Sequence, residues 1–215
     1  MTKENKTLSV FVALDRSGSM EGERWTASIE SLNEYIKGLQ NEKVEGDVTI
    51  VAFDTIYSSN KTGSDVRLID IVERISIAYF EPLDHTSITP AGGTPLYDAA
   101  AHVMNRAIER NSERTVVVII TDGHENMSKE YTQAKIKDKV KLLQDKNWEV
   151  IFLGANFDVS AYASGSGLVY TKFRNVDFSD AMALKTMTAD LISNTTSYTT
   201  GGTSIDMSGV YTKTN

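Results

Sequence analysis

The chain has 215 residues and no cysteine, so it can hold neither a disulfide framework nor a thiolate metal site. Its hydrophobic share of 40% suffices for a substantial core and excludes wholesale disorder, and the length suits one domain of ordinary size. A formal charge of −7, from 22 Lys and Arg against 29 Asp and Glu, argues against a general binder of nucleic acid or anionic membranes.

In chain order, "TLSVFVALD" (7 to 15) is an almost continuous apolar run and reads as a strand buried on both faces. Trp25, Ile29, Leu32, Ile36 and Leu39 then recur at alternating spacings of four and three, the stripe of an amphipathic helix. "DVTIVAFD" (47 to 54) reads as a second buried strand, and the mixed pattern from 55 to about 75, with "NKTG" in it, as a turn and a further strand. "TPLYDAAAHVMNRAIER" (94 to 110) predicts a helix with Thr94 as N-cap, Pro95 at the first helical position and Leu96, Ala100, Val103 and Ala107 facing inward. "RTVVVIITDG" (114 to 123) is a strand, and Ile136, Val140 and Leu143 carry a helix over 131 to 146. "WEVIFLGAN" (148 to 156) and "GLVYTKF" (167 to 173) are two more strands. "SDAMALKTMTADLIS" (179 to 193) closes with a helix that buries Leu184, Met187 and Leu191. Strands alternate with helices throughout, which predicts a doubly wound α/β fold: a mostly parallel sheet, helices on both faces, and one antiparallel edge strand. The domain is expected to span 1 to 194, with 195 to 215 as a tail rich in Thr, Ser and Gly.

In such a sheet, ligands sit at the carboxyl ends of the strands, near the point where strand order reverses. The first strand ends in Asp15, Ser17 and Ser19, the loop "AGGTPL" carries Thr94, and "VVVII" leads into Thr121, Asp122 and Gly123. Asp15 and Asp122 bring carboxylates to one rim, and Ser17, Ser19 and Thr94 bring hydroxyls. These hard oxygen donors suit Mg²⁺, Mn²⁺ or Ca²⁺ rather than zinc. With few carboxylates bound directly, such an ion stays electrophilic and can accept an Asp or Glu from another protein. Each motif alone also has a structural reading: an Asx-turn with a helix cap for Asp15 to Ser19, an N-cap for Thr94, a turn pair for Asp122-Gly123. Their joint occurrence at three element ends, in this order, favours the metal site.

The pattern Asp15-x-Ser17-x-Ser19, followed by Thr94 and Asp122, resembles the metal-ion-dependent adhesion site of von Willebrand factor type A (VWA) domains, and "GGTPLYDA" and "TDG" are similar to stretches in that family's bacterial members. The resemblance covers about residues 7 to 194. It implies a magnesium-dependent protein-binding module with Ser17, Ser19 and Thr94 as direct ligands, and with Asp15 and Asp122 binding directly or through water. A partner's Asp or Glu would complete the shell. Relatives inside bacterial or phage cells imply an adaptor role.

The remaining signals are weaker. His124, Glu125 and Asn126 read as a polar loop at the rim, His85 and His102 carry no role, and the lysines of 135 to 146 read as a solvated face. No P-loop, dinucleotide fingerprint or nucleophile elbow occurs, so an enzyme is not expected; the alternatives are a metal-dependent phosphoryl-transfer or hydrolytic enzyme, or a structural assembly subunit. The start "MTKENKTLSV" lacks an apolar signal region, and no stretch reaches membrane-spanning length, so the expectation is a cytoplasmic protein.

Overall fold

The computed structural model describes residues 7–58, 63–122, 125–154, 172–176, 178, 180–202 and 204–205. Among these, six strands form one sheet: β1 (Leu8–Asp15), β2 (Gly46–Tyr57), β3 (Ser64–Ser76), β4 (Arg114–Thr121), β5 (Glu149–Gly154) and β6 (Lys172–Asn175). Their order is β3-β2-β1-β4-β5-β6, parallel except for β3, which pairs antiparallel with β2 at one edge. Among the described residues, four helices flank the sheet: α1 (Glu23–Asn41), α2 (Leu96–Arg110), α3 (Gln133–Asp145) and α4 (Ala181–Thr199).

The period of two along β1 sorts its side chains between two cores. Val10, Val12 and Leu14 pack with α1 and α4, whereas Phe11 and Ala13 pack with α2 and α3. Every residue of β1 is buried, which is why the strand reads as a continuous apolar run. The predicted stripe of α1 is buried in full, as are the inward residues named for α2 and α3, and Trp25 and Trp148 sit in the two cores. No helix among the described residues is long and apolar enough to cross a membrane.

Two helix boundaries differ from the sequence reading in ways that matter for packing. Helix α2 begins at Leu96, with Pro95 at the capping position and no side-chain cap from Thr94. Donors at its start are satisfied from a distance: Glu125 accepts from the Tyr97 N–H at 2.9 Å, and Ser128 Oγ accepts from Tyr97 and Asp98 at 3.0 and 3.1 Å. Helix α4 starts at Ala181, where Asp180 caps the Met182 and Ala183 N–H groups, and runs through Thr199, past the change of composition at 194. Threonine has weak helix propensity, but packing overrides it here. Thr195 is fully buried with its hydroxyl 3.1 Å from Tyr35 Oη, Tyr198 is fully buried, and beyond the helix Ile205 is buried as well. The last strand is described only over Lys172–Asn175, so 167 to 171 of the predicted strand lie outside the described residues, as do 155 and 156 beyond β5 and the tail from 206.

Candidate metal centre

Neighbouring strands β1 and β4 lead away to opposite sides of the sheet, so their carboxyl ends form the switch point of this topology. Asp15 closes β1 there and is 0% exposed. Its Oδ1 accepts the Ser17 N–H at 2.8 Å, which is the Asx-turn the sequence allowed, and its Oδ2 accepts the Thr121 hydroxyl at 2.6 Å. Past the turn, the next two hydroxyls lie side by side. Ser17 Oγ lies 3.1 Å from Ser19 Oγ, and Ser19 donates to Asp122 Oδ1 at 2.8 Å. The Asp122 side chain is buried, and its other oxygen accepts from Arg24 Nη1 at 2.8 Å. Asp15, Ser17, Ser19 and Asp122 therefore form one connected chain of donors and acceptors.

Thr94 joins through the backbone. The strap before it is tied to the Asp15–Ser19 loop by Ala91 N–H to Arg16 O at 2.8 Å and Gly18 N–H to Gly92 O at 3.0 Å. Thr94 itself is 2% exposed and held by a reciprocal pair: its N–H donates to Asn126 Oδ1 at 2.9 Å and its carbonyl accepts from the Asn126 N–H at 3.2 Å. Neither Ser17 nor Thr94 caps a helix with its hydroxyl, so of the structural uses that the sequence left open the Asx-turn at Asp15 is taken and the two helix caps are not.

The electrostatics point the same way. Burial pushes the Asp15 carboxyl up to about 6; the bonds from Thr121 and Ser17 work against that, and nearby Asp122 adds to it. Among the described residues no Lys or Arg forms an ion pair with Asp15. A buried carboxylate without a cationic partner is costly, and a bound cation removes the cost. No three His, Asp or Glu side chains cluster among the described residues, so the two aspartates meet hydroxyls instead. That donor set fits a hard divalent ion.

The family model for the von Willebrand factor type A domain matches residues 9–190. The chain belongs to the VWA family. Solved structures with the same fold include the pilus adhesin SpaC from Lactobacillus rhamnosus GG (16% identity over 89% of this chain and 32% of that one, TM-score 0.62). A von Willebrand factor type A protein from Catenulispora acidiphila matches at 15% identity over 87% of this chain and 43% of its own, TM-score 0.54. The manganese-loaded TRAP protein of Plasmodium vivax matches at 16% over 84% and 72%, TM-score 0.54. At these identities the likeness shows the fold alone, and this chain spans only about a third of the adhesin's length. No curated protein matched.

Three residues of this VWA domain gain roles that the sequence did not reveal. Asn126, read as part of a polar loop, fixes the backbone of Thr94 from both sides. Glu125 completes the start of α2, and Arg24 holds Asp122 in place. Charge or amide groups on separate segments leave no periodic trace; only a polar residue shortly past Asp122 hinted at Asn126. His124 lies outside the described residues.

The raised Asp15 carboxyl has a consequence in the metal-free protein. Its folded value of about 6 lies above the ordinary value of 3.8, so the ionised form costs stability above pH 6, and the cost disappears as pH falls toward 4. In chelating buffer, Asp15→Asn should therefore be more stable than wild type at pH 7.5, by on the order of 1–3 kcal/mol after allowing for the altered hydrogen bonds. Urea melts at pH 7.5 and 5 test this; an advantage that does not shrink at the lower pH would refute it.

Proposed function

We propose that this VWA domain is a divalent-cation-dependent protein-binding module whose ion is completed by an Asp or Glu of a partner protein. The observation that carries the reading is the fully buried Asp15, lacking a cationic partner among the described residues, at the head of a line of hydroxyls that ends on Asp122. Ser17, Ser19 and Thr94 would hold the ion directly, and Asp15 and Asp122 directly or through water. Mg²⁺ is the proposed ion, with Mn²⁺ or Ca²⁺ as substitutes; the manganese loaded into the TRAP neighbour is consistent with this. When bound, the ion supplies a Lewis-acidic position for a carboxylate. The chain's own residues orient it: Thr121 fixes the Asp15 carboxylate, Arg24 fixes Asp122, and Asn126 fixes Thr94.

A binding module accounts for the site better than an enzyme does. Both aspartates are held by hydrogen bonds as ligands, and catalysis of hydrolysis would need a further base beside the ion. Calorimetric titration with MnCl₂ and MgCl₂ tests the proposal. Wild type should show saturable binding that weakens at least about 100-fold in Asp15→Asn and Asp122→Ala, roughly 3 kcal/mol per site. Both variants should keep a cooperative melt. Absence of binding in wild type, or unchanged binding in the folded variants, would defeat the proposal. Metal-dependent phosphatase or nuclease turnover would favour the enzymatic alternative.

A further inference from the structure

Next to the metal centre, the rim carries large apolar side chains that the fold leaves uncovered. Tyr57 is 91% exposed, Ile56 42% and Met127 40%. They come from two separate segments, the end of β2 and the strand-to-helix loop after β4, yet border one open groove of about 540 Å³. Scattered single apolar residues on a surface need no explanation, whereas a cluster around a concavity marks a docking site.

The groove shares its wall with the strap that leads into Thr94. Gly92 and Gly93 lie in its wall, and the Gly92 carbonyl accepts from Gly18 of the Asp15–Ser19 loop. Met127 packs directly on Gly93, where an added Cβ would meet Met127 Cγ at 2.6 Å, and the next residue is Thr94. The apolar wall thus begins one residue away from a proposed ligand.

Charge defines the occupant further. Asp54 is fully buried and shared between two guanidiniums, those of Arg16 and Arg67, so this triad carries an excess positive charge. Arg67 is 31% exposed and lines the groove, although the chain as a whole is acidic at −7. With the proposed cation on one side and an arginine on the other, the groove favours an anionic ligand with apolar anchors.

We infer that the groove receives an extended segment of a partner protein, in which a bulky apolar residue within three positions of the metal-binding carboxylate seats against Tyr57, Ile56 and Met127. The inference rests on the metal-dependent reading above. An extended chain advances roughly 3.3 Å per residue, so a carboxylate and its near neighbours can occupy ion and groove together. Any acidic residue satisfies the ion alone; the apolar seat supplies discrimination among acidic partners. Arg67 offers donors to the segment's backbone carbonyls.

The probe is a random peptide library displayed on phage, selected on the full chain with MnCl₂ and eluted with EDTA. Eluted sequences should be enriched for Asp or Glu with Phe, Leu, Met, Tyr or Trp within three positions. The most enriched sequence, made as a synthetic peptide, should bind the Tyr57→Ser/Met127→Ser variant at least about tenfold more weakly, while the variant's Mn²⁺ affinity stays at the wild-type level. Acidic sequences without apolar enrichment, equal peptide binding by the double variant, or no EDTA-eluted sequences from a protein that does bind Mn²⁺ would each overturn the inference and leave the metal reading standing. A wild type that fails to bind Mn²⁺ removes both.

Discussion

Replacing Asp54 with alanine is expected to destabilise the protein by about 3–5 kcal/mol, the cost of leaving buried charge without its partner. Asp54 is 0% exposed near the end of β2. It faces Arg67 across the antiparallel pair with β3, accepts from Arg67 Nε at 2.6 Å, and lies 3.0 Å from Arg16 Nε. Arg16 is itself largely buried, and burial lowers its guanidinium's affinity for the proton. Without the carboxylate, two guanidiniums face each other with one remaining acceptor for Arg16, the Thr89 carbonyl at 2.7 Å. The damage should reach the proposed ion site because Arg16 sits between Asp15 and Ser17 in the loop, its N–H bonded to Phe53 O and its carbonyl to Ala91 N–H. In urea the midpoint should fall without a large change in slope. For a domain of this size the melting temperature should drop by roughly 6–20 °C. Asp54→Asn should lie between wild type and Asp54→Ala, since it keeps one acceptor. A loss below about 1 kcal/mol for Asp54→Ala would mean that water solvates the arginines and that the triad is not a buried one.

The features legible in the sequence were those with a period or a fixed local spacing. β1 and β4 are buried on both faces, so their apolar runs were unbroken, and the stripe of α1 points at one core without exception. Asp15, Ser17 and Ser19 are near neighbours in chain, and the alternation of elements brings Asp122 to the same rim. β3 was hard to delimit because it is an edge strand, half covered along its length and interrupted in its register near Val48 and Ile50. What escaped were partnerships across sequence distance. Nothing local says that the start of α2 is completed by Glu125 and Ser128 instead of Thr94, or that Asn126 holds Thr94. Asp54 read as the polar end of a strand, and its two arginines stand on other segments, one in the loop after β1 and one on β3. The end of α4 was hidden by composition: Thr195, Tyr198 and Thr199 face the core, a packing fact that helix propensity cannot announce.

The strongest separation of loop geometry from ligand chemistry comes from Gly92. It has φ +73°, and a Cβ placed on it would stand 2.1 Å from the Thr55 carbonyl oxygen, a contact no side chain tolerates. Gly92→Ala must therefore push the strap away from β2 or twist its backbone. Either movement breaks the bond from Gly18 N–H to Gly92 O and the bond from Gly93 N–H to Thr55 Oγ1, both of which set the position of Thr94. Divalent-ion affinity should fall at least about 100-fold although no ligand side chain is altered, because a displacement of about 1 Å is enough to spoil coordination geometry. Stability should fall by about 2–4 kcal/mol through clash, strain and lost hydrogen bonds. Gly63→Ala provides the control: Gly63 also has positive φ, +103°, but an added Cβ meets nothing within 4 Å. It should cost only the conformational strain, about 1–2 kcal/mol, and leave ion binding at the wild-type level. Calorimetric titration and urea melts on both variants separate the two contributions. If Gly92→Ala bound Mn²⁺ as tightly as Gly63→Ala does, the strap and Thr94 would not belong to the coordination shell, and the site would reduce to the Asp15, Ser17, Ser19 and Asp122 chain.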